Sequence, residues 1–170
     1  ELLDEPVVAD PALTLRRGTD GSVVLRDVHF SHDGERDVLH GVDATIAGGR
    51  TVAVVGATGA GKTTLLHLIA GLVAADTGSV TVPPGGARLV FQEPFLLAGS
   101  VRENIALGVD VPLDAIEAAL AVAEAQFVHD LPAGLETELG ERGVGLSGGQ
   151  RQRVAVARAD GLAEREQALA

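Results

Sequence analysis

The chain of 170 residues has the length of one domain, and its 46% hydrophobic residues and 22 glycines are typical of a globular protein. It holds no cysteine, which excludes disulfides and thiolate metal sites, and no apolar run approaches the roughly 20 residues of a membrane-spanning helix. The formal net charge of −11 leaves no broad basic face, which argues against nucleic acid as a partner and requires any anionic ligand to be held locally.

Short β-rich stretches and turns alternate through the N-terminal third of the chain. Residues 1–20 carry two prolines and scattered charge, which is typical of a linker. Residues 22–30 and 37–46 are rich in β-branched and apolar residues, and the polar SHDGER at 31–36 between them indicates a turn. The apolar run TVAVV at 51–55 predicts a short buried strand.

A helix and a further strand are predicted after a glycine-rich loop. Leucine and isoleucine recur at helical spacing through KTTLLHLIAGL, residues 62–72. VPPGG at 82–86 predicts a sharp turn, and RLVF at 88–91 predicts another buried strand. Together these elements indicate an α/β fold.

Residues 93–144 differ in character, because helix-favouring sequence replaces the β-rich pattern. VRENIAL at 101–107 and LDAIEAALAVAEAQFVHDL at 113–131 predict two helices, with prolines near the boundaries of the longer one. Ser147 stands where it caps a third helix through QRQRVAVARA, residues 150–159.

One loop carries the pattern of a phosphate-binding site. GATGAGKT fits G-x-x-x-x-G-K-[ST] between a predicted strand and a predicted helix. Glycines let backbone N–H groups turn toward phosphate oxygens, and the helix start adds its positive dipole end. Lys62 is the only lysine beside twelve arginines, and its compact ammonium suits the β- and γ-phosphates better than a planar guanidinium. The predicted contacts with ATP are Gly56, Ala57, Thr58, Gly59, Ala60, Gly61, Lys62, Thr63 and Thr64.

Two threonines follow the lysine and have separate predicted roles. The hydroxyl of Thr63 suits Mg²⁺, and Thr64 is placed to face the α-phosphate. The competing interpretation is an ordinary glycine-rich turn from strand to helix. The full pattern in its required context favours nucleotide binding.

Three further stretches resemble ATP-binding cassette (ABC) proteins of the exporter type. LSGGQ at 146–150 is similar to the family signature, FQEPFLLAGSVRENIALG at 91–108 to its Q-loop and following helix, and LETELGERGVGLSGGQRQR at 135–153 to the preceding loop. The resemblance extends over residues 1–159. It implies a P-loop NTPase (RecA-like) core with an N-terminal antiparallel β subdomain and an inserted helical subdomain.

The resemblance also implies a domain organisation. Residues 1–20 correspond to a linker from a membrane domain, and residues 21–170 to a partial nucleotide-binding domain. In that domain, residues 21–92 and 145–170 are the core and residues 93–144 the helical subdomain. The C-terminal part of the core is expected to be missing, together with the strand that runs beside the P-loop strand. Exposed sheet edges and uncovered apolar faces are expected in consequence.

Further site residues are implied by the same resemblance. Gln92 is expected to be catalytic together with Lys62, contacting Mg²⁺ and the attacking water. The signature residues Ser147, Gly148, Gly149 and Gln150 are expected to meet the γ-phosphate of ATP on a partner subunit, since a capping serine and exposed N–H groups form an anion site. The competing interpretation of LSGGQ is a capped helix start.

The contact with the adenine base departs from the family pattern. Family members stack a tyrosine or another aromatic residue on the base, whereas FSHDG supplies His32 and the chain contains no tyrosine or tryptophan. An imidazole can stack with less area than a phenol, and a solvated loop histidine is the alternative. Val38 is expected to add an apolar contact.

The family's Asp-Glu pair and switch histidine have no match in the sequence. VAVARAD, residues 154–160, ends in an acid, but Arg158 interrupts its apolar run and no glutamate follows Asp160. Glu164 and Glu166 are expected to be solvated in a charged helical tail. The isolated chain is therefore expected to be inactive, and truncation of a longer polypeptide is the expected explanation.

The function implied by the resemblance is an ABC-type ATPase that powers export across a membrane with ATP and Mg²⁺ as cofactors. Its expected partners are a second nucleotide-binding domain, in a homo- or heterodimer, and a transmembrane domain, at the cytoplasmic face of the cell membrane. A non-hydrolysing ATP-binding regulatory module is the main alternative. A soluble ABC protein of DNA repair or translation is a third, which the acidic balance disfavours.

Overall fold

A short strand, β1 (Leu15–Arg17), begins the described part of the chain, and a long antiparallel hairpin follows it. The computed structural model describes residues 15–168, apart from the side chains of residue 142 and residues 161–168. Strands β2 (Val23–Ser31) and β3 (Asp37–Ile46) pair antiparallel, with Val23 opposite Ile46 at one end and Ser31 opposite Asp37 at the other. The predicted strands and the turn between them are confirmed.

Strand β1 (Leu15–Arg17) and strand β4 (Thr77–Val82) complete a four-stranded sheet in the order β1-β4-β2-β3. Strand β4 pairs antiparallel with β2, and β1 pairs parallel with β4. Helix α1 (Lys62–Ile69) contributes Leu68 to the core. The buried residues of this core are Leu25, Val28, Phe30, Leu39, Leu68, Ala75, Val80 and Val82. Strand β1 lies in the predicted linker, of which residues 1–14 are outside the described residues.

The prediction of two buried strands, at residues 51–55 and 88–91, is wrong. Both segments are irregular, and Val55 and Phe91 are 86% and 57% exposed. A strand needs a neighbour whose backbone groups pair with its own, and among residues 15–168 no strand pairs with either segment. The turn between β4 and the second segment does form, because the Gly86 N–H donates to the Pro83 carbonyl at 2.8 Å.

Helices dominate the chain after Leu89, where the described residues divide into two compact units. The second unit contains α2 (Val101–Ala106), α3 (Leu113–Val122) and α4 (Gly148–Ala168). A two-stranded sheet joins β5 (Gly99–Ser100) to β6 (Glu138–Leu139). Short 3-10 turns lie at Gln126–Asp130, Gly134–Glu136 and Glu141–Gly143.

The second unit has its own apolar core between α2, α3 and α4. Helix α2 begins with a reciprocal capping box, in which Ser100 accepts from the Glu103 N–H and Glu103 accepts from the Ser100 N–H. The predicted longer helix ends at Val122 instead of near residue 131, because Glu124 takes a left-handed conformation with φ of 51°. The predicted boundaries of the core and helical subdomains stay predictions.

No helix among the described residues is long and apolar enough to cross a lipid bilayer.

A histidine clamps the turn end of the hairpin. The Nδ1 of His29 lies 3.1 Å from an Asp37 carboxylate oxygen and its Nε2 lies 3.3 Å from Asp27. The hydrogen bond with Asp37 is the main cause that raises the pKa of His29, and Asp27 adds to it. Because protonation strengthens both contacts in the folded state, the clamp stabilises the hairpin most when His29 is charged.

A pH dependence of stability follows from this clamp. A raised folded-state pKa means that the stabilisation is fully present below the ordinary pKa of about 6.5 and is lost as the pH rises through the higher folded value. Wild-type protein is therefore expected to have a lower melting temperature at a pH above the folded-state pKa of His29 than near pH 6. His29→Gln should reduce this difference, measured by circular dichroism melts. His40→Gln is the control. The Nδ1 of His40 lies 3.8 Å from the same carboxylate, which is too far for a hydrogen bond, so this substitution should leave the difference in place.

Candidate functional site

The predicted phosphate loop runs directly into α1 and is held by the β-hairpin. Gly61 stands at the N-cap of α1 with φ of 79° and offers no side-chain cap. A Cβ at this position would lie 2.8 Å from Leu39 Cδ2 and 3.1 Å from Val38 Cγ1. Only glycine combines this left-handed conformation with such close packing. Because Gly61 has no side chain, the start of α1 can pack directly against Val38 and Leu39 of β3.

The lysine of the loop reaches back across it. Lys62 Nζ donates to the Gly56 carbonyl at 2.9 Å and to the Ala57 carbonyl at 2.7 Å. An ammonium group has three N–H donors, so two carbonyl bonds leave one for an oxygen of a ligand. The positive end of the α1 dipole lies beside this ammonium group, since Lys62 is the first residue of the helix. The loop thus concentrates positive charge in a chain of net negative charge.

Eight of the predicted site residues line one cavity of about 400 Å³. On one side are loop and helix residues, and on the other are two residues from the turn end of the hairpin. The lining consists of His32, Val38, Thr58, Gly59, Gly61, Lys62, Thr63 and Thr64. The structure therefore brings six of the nine predicted phosphate contacts together with both predicted base contacts, although 20 or more residues separate the two groups in the sequence. Gly56, Ala57 and Ala60 are not in the lining.

Two neighbours hold the imidazole of His32. Its ring meets the Phe30 ring nearly perpendicularly, with centroids 4.9 Å apart. Its Nε2 lies 3.3 Å from the hydroxyl oxygen of Thr64 in the first turn of α1. His32 is thus tied to both the hairpin and the helix.

The predicted signature residues begin α4 in the second unit. Ser147 N–H donates to the Gln150 side-chain oxygen at 2.8 Å, and the Gln150 N–H donates to the Ser147 hydroxyl at 3.3 Å. This reciprocal pair is a capping box with glutamine at the third position. It confirms that Ser147 caps the helix, and it leaves the backbone of Gly148 and Gly149 exposed at the helix start.

A second cavity, of about 940 Å³, lies at the start of α4. It brings Gln92 together with Gly148 and Gly149, all of which were predicted from the sequence. The other lining residues are Glu93, Pro94, Phe95, Val144, Arg151 and Gln152. Arg151 and Gln152 were not predicted, although helical spacing from Gly148 places both on the first turn of α4.

The alternative in which VAVARAD forms a strand ending in Asp160 is excluded. Residues 154–160 lie inside α4, and Val154 and Ala157 are buried in the core of the second unit. The side chains of Glu164 and Glu166 are outside the described residues. Among the described residues, no three His, Asp or Glu side chains gather closely enough to hold a metal ion.

A family profile described as "ABC transporter" matches residues 39–165, more than half of the chain. The chain belongs to the ABC transporter family. Within this ABC transporter domain, the described α/β structure with its mostly antiparallel sheet and its helices is a partial P-loop NTPase fold of the predicted class.

Curated ABC transporter proteins match most of the chain. The β-(1→2)glucan export ATP-binding/permease protein NdvA of Agrobacterium fabrum is 42% identical over 153 residues, which are 82% of this chain and 26% of that protein. The mycobactin import ATP-binding/permease protein IrtB of Mycolicibacterium thermoresistibile is 40% identical over 173 residues, 93% of this chain and 30% of that protein. The ABC transporter chain therefore spans between a quarter and a third of these relatives.

A solved ABC transporter structure has the same fold. A bacterial Atm1-family ABC exporter with ATP bound matches with a TM-score of 0.70 and 35% identity, over 83% of this chain and 27% of that chain. Sequence reasoning about this ABC transporter domain missed Phe30 as a support of the His32 ring. The signal for it was the alternation of buried residues along β2, where Phe30 is 7% exposed.

Proposed function

We propose that this domain binds and hydrolyses ATP and thereby powers transport of a substrate across a membrane through ATP-driven closure of a dimer. The single observation that carries the proposal is the cavity in which the Lys62 ammonium, the α1 N-terminus and two hairpin residues converge. That cavity offers positive charge for a triphosphate at one end and a ring for a base at the other.

The residues of the cavity fit Mg·ATP. Thr63 is exposed in the lining, and a hydroxyl is the kind of oxygen donor that Mg²⁺ takes beside phosphate oxygens and water. Backbone N–H groups from Gly59 to Thr64 are assigned to the phosphates, and His32 and Val38 to the base. Gln92 is assigned to Mg²⁺ and the attacking water through its side-chain amide. When bound, Mg²⁺ neutralises charge on the transferring phosphoryl group.

The signature is assigned to the nucleotide of a second nucleotide-binding domain. The exposed backbone of Gly148 and Gly149 and the capping Ser147 and Gln150 suit the oxygens of a γ-phosphate. A transmembrane domain is the other proposed partner, which puts the dimer at the cytoplasmic face of the membrane. Export is the proposed direction of transport because the loops resemble those of exporters. Of the two relatives described above, one is named for export and the other for import.

Hydrolysis is proposed to need residues beyond those identified in the two cavities. Glu93 is the one carboxylate among the described residues that lines either cavity, and it lines the cavity that contains Gln92. The 170-residue chain is therefore expected to bind ATP without turnover. A polypeptide that continues past Ala170 is expected to turn ATP over.

Calorimetry and a steady-state ATPase assay test the two steps separately. Uptake of Mg·ATP by the 170-residue chain below millimolar ligand supports the binding step. Absence of uptake by folded protein at millimolar ligand contradicts it. Turnover by the longer polypeptide supports the transport engine, whereas binding without turnover supports the regulatory module.

Replacing His32 tests the base contact. His32→Ala is expected to weaken ATP binding about 3- to 10-fold, since aromatic contacts contribute about 0.5–1.5 kcal/mol. Fluorescence anisotropy of a labelled ATP analogue measures the change. His40→Ala, an exposed histidine of the same hairpin outside the cavity lining, is the control. Unchanged affinity in His32→Ala would leave this residue as a solvated loop histidine.

A further inference from the structure

The contact between His32 and Thr64 joins a residue of the hairpin turn to the first turn of α1 within the cavity lining. Thr64 lies in the first turn of α1, and only 8% of it is exposed, whereas His32 follows β2 and is exposed. Their side chains approach to 3.3 Å between the hydroxyl oxygen and Nε2. Because 32 residues separate the two positions in the sequence, the contact is made by the folded arrangement of hairpin and helix.

Phe30 restrains the same imidazole from the hairpin side. The interplanar angle of 86° makes the contact edge-to-face, which leaves at least one face of the imidazole uncovered by Phe30. Phe30 is itself buried in the core, so it is a fixed support. An exposed histidine held at two points loses less side-chain freedom on binding than one that moves freely.

A hydroxyl group can take part in two hydrogen bonds at once. It donates its one hydrogen, and its oxygen accepts from another donor. Thr64 can therefore donate to a phosphate oxygen while it accepts from the Nε2–H of His32.

We propose that Thr64 is a positioning residue for His32, so that its hydroxyl links the base contact to the phosphate contact. The inference rests on the proposed function, because it requires nucleotide in this cavity. It assigns His32 the Nε2–H tautomer in the ATP complex. Removing the hydroxyl should lower the affinity for a ligand with a base more than the affinity for a ligand made of phosphates alone.

A double-mutant cycle tests this link on the 170-residue chain. The variants are His32→Ala, Thr64→Val and the double variant, and the ligands are Mg·ATP and Mg·tripolyphosphate in calorimetry. For ATP, His32→Ala is expected to weaken binding about 5-fold and Thr64→Val about 10-fold, with the double variant near 10- to 15-fold rather than 50-fold. For tripolyphosphate, His32→Ala should change nothing and Thr64→Val should cost about 3-fold.

The outcomes separate the inference from the function beneath it. If the affinity losses of the two single variants multiply in the double variant for ATP, Thr64 does not position His32. An affinity loss in Thr64→Val that is equal for both ligands also overturns the inference. An equal His32→Ala loss for both ligands assigns His32 to the phosphates and also overturns it. Thr64→Ser keeps the hydroxyl and should keep the coupling, and the imidazole ¹⁵N shifts of the ATP complex should show a protonated Nε2. If wild-type protein takes up neither ligand, the proposed function itself fails and the inference falls with it.

Discussion

Lys62→Ala is expected to weaken Mg·ATP binding about 10- to 100-fold in calorimetry. Hydrogen bonds to charged groups contribute about 1.5–3 kcal/mol each, and every 1.4 kcal/mol is a factor of ten in affinity. Lys62 is the only lysine of the chain, and its ammonium group already lies against the carbonyls of Gly56 and Ala57. A bound triphosphate would therefore lose the one lysine that lines the cavity.

Two controls separate local charge from overall charge. Arg26→Ala also removes one positive charge from a chain of formal net charge −11, but at an exposed position of β2 outside the cavity lining, and should leave the affinity nearly unchanged. Lys62→Arg keeps the charge but replaces the compact ammonium with a planar group, and is expected to recover only part of the affinity.

The fold should survive Lys62→Ala, because the loop carbonyls that lose their donor are in exposed residues and can turn to water. Equal far-UV circular dichroism spectra and melting curves of variant and wild type would verify this. Wild-type affinity in a folded Lys62→Ala variant would mean that the triphosphate does not lie in this loop, and the proposed function would have to be abandoned.

Local patterns in the sequence predicted the elements whose stabilising contacts are also local. The hairpin of β2 and β3 follows from alternation and a polar turn, and α1 follows from leucine spacing after the glycine loop. The capping by Ser147 needed only its own position and the helix beyond it. The phosphate loop belongs to the same class, because its glycines and lysine act within eight residues.

Elements that depend on distant partners were predicted less well. Residues 51–55 have the composition of a buried strand, yet strand composition does not supply a pairing neighbour. The three residues of β1 were missed because their pairing with β4 is set by tertiary structure. Helix α3 ended early at a left-handed Glu124, a position with no glycine to indicate the break.

The candidate site divides in the same way. The predicted phosphate contacts came from a motif, while the predicted base contacts His32 and Val38 came only from a family resemblance, since nothing near them in the sequence indicates a base. The contact of His32 with Thr64 was absent from both sources. It depends on how the hairpin meets α1, which neither a spacing nor a motif encodes.

A buried asparagine organises the second unit. Asn104 is fully buried, accepts from the Leu97 N–H at 2.8 Å, and donates to the carbonyls of Leu97 and Ser100 at 2.9 and 3.0 Å. Arg158 of α4 donates to the Asn104 side-chain oxygen at 2.9 Å and to its backbone carbonyl at 2.8 Å. One amide therefore joins the segment before α2 to α2 itself and to α4.

Asn104→Leu is expected to lower the free energy of unfolding of the second unit by about 3–5 kcal/mol. A buried polar group left without a partner costs about 1–3 kcal/mol, and the variant removes the Asn104 donor of the buried Ser100 carbonyl and the side-chain acceptor of Arg158. The backbone groups of Leu97, which is 47% exposed, can turn to water instead. The Arg158 guanidinium is partly buried, which lowers its pKa, and water poorly replaces the acceptor that a partly buried cation loses.

Urea unfolding followed by the helical circular dichroism signal measures the loss, since the chain has no tryptophan or tyrosine to report by fluorescence. Gln126→Leu removes an exposed amide of the same unit and is expected to change the midpoint little. Hydrogen exchange gives a second measurement, because the Leu97 amide should lose its protection in Asn104→Leu while amides in α3 keep theirs under native conditions. An unchanged midpoint with a protected Leu97 amide would show that the segment before α2 is held by its apolar contacts alone, with Leu96, which is fully buried, as the main anchor.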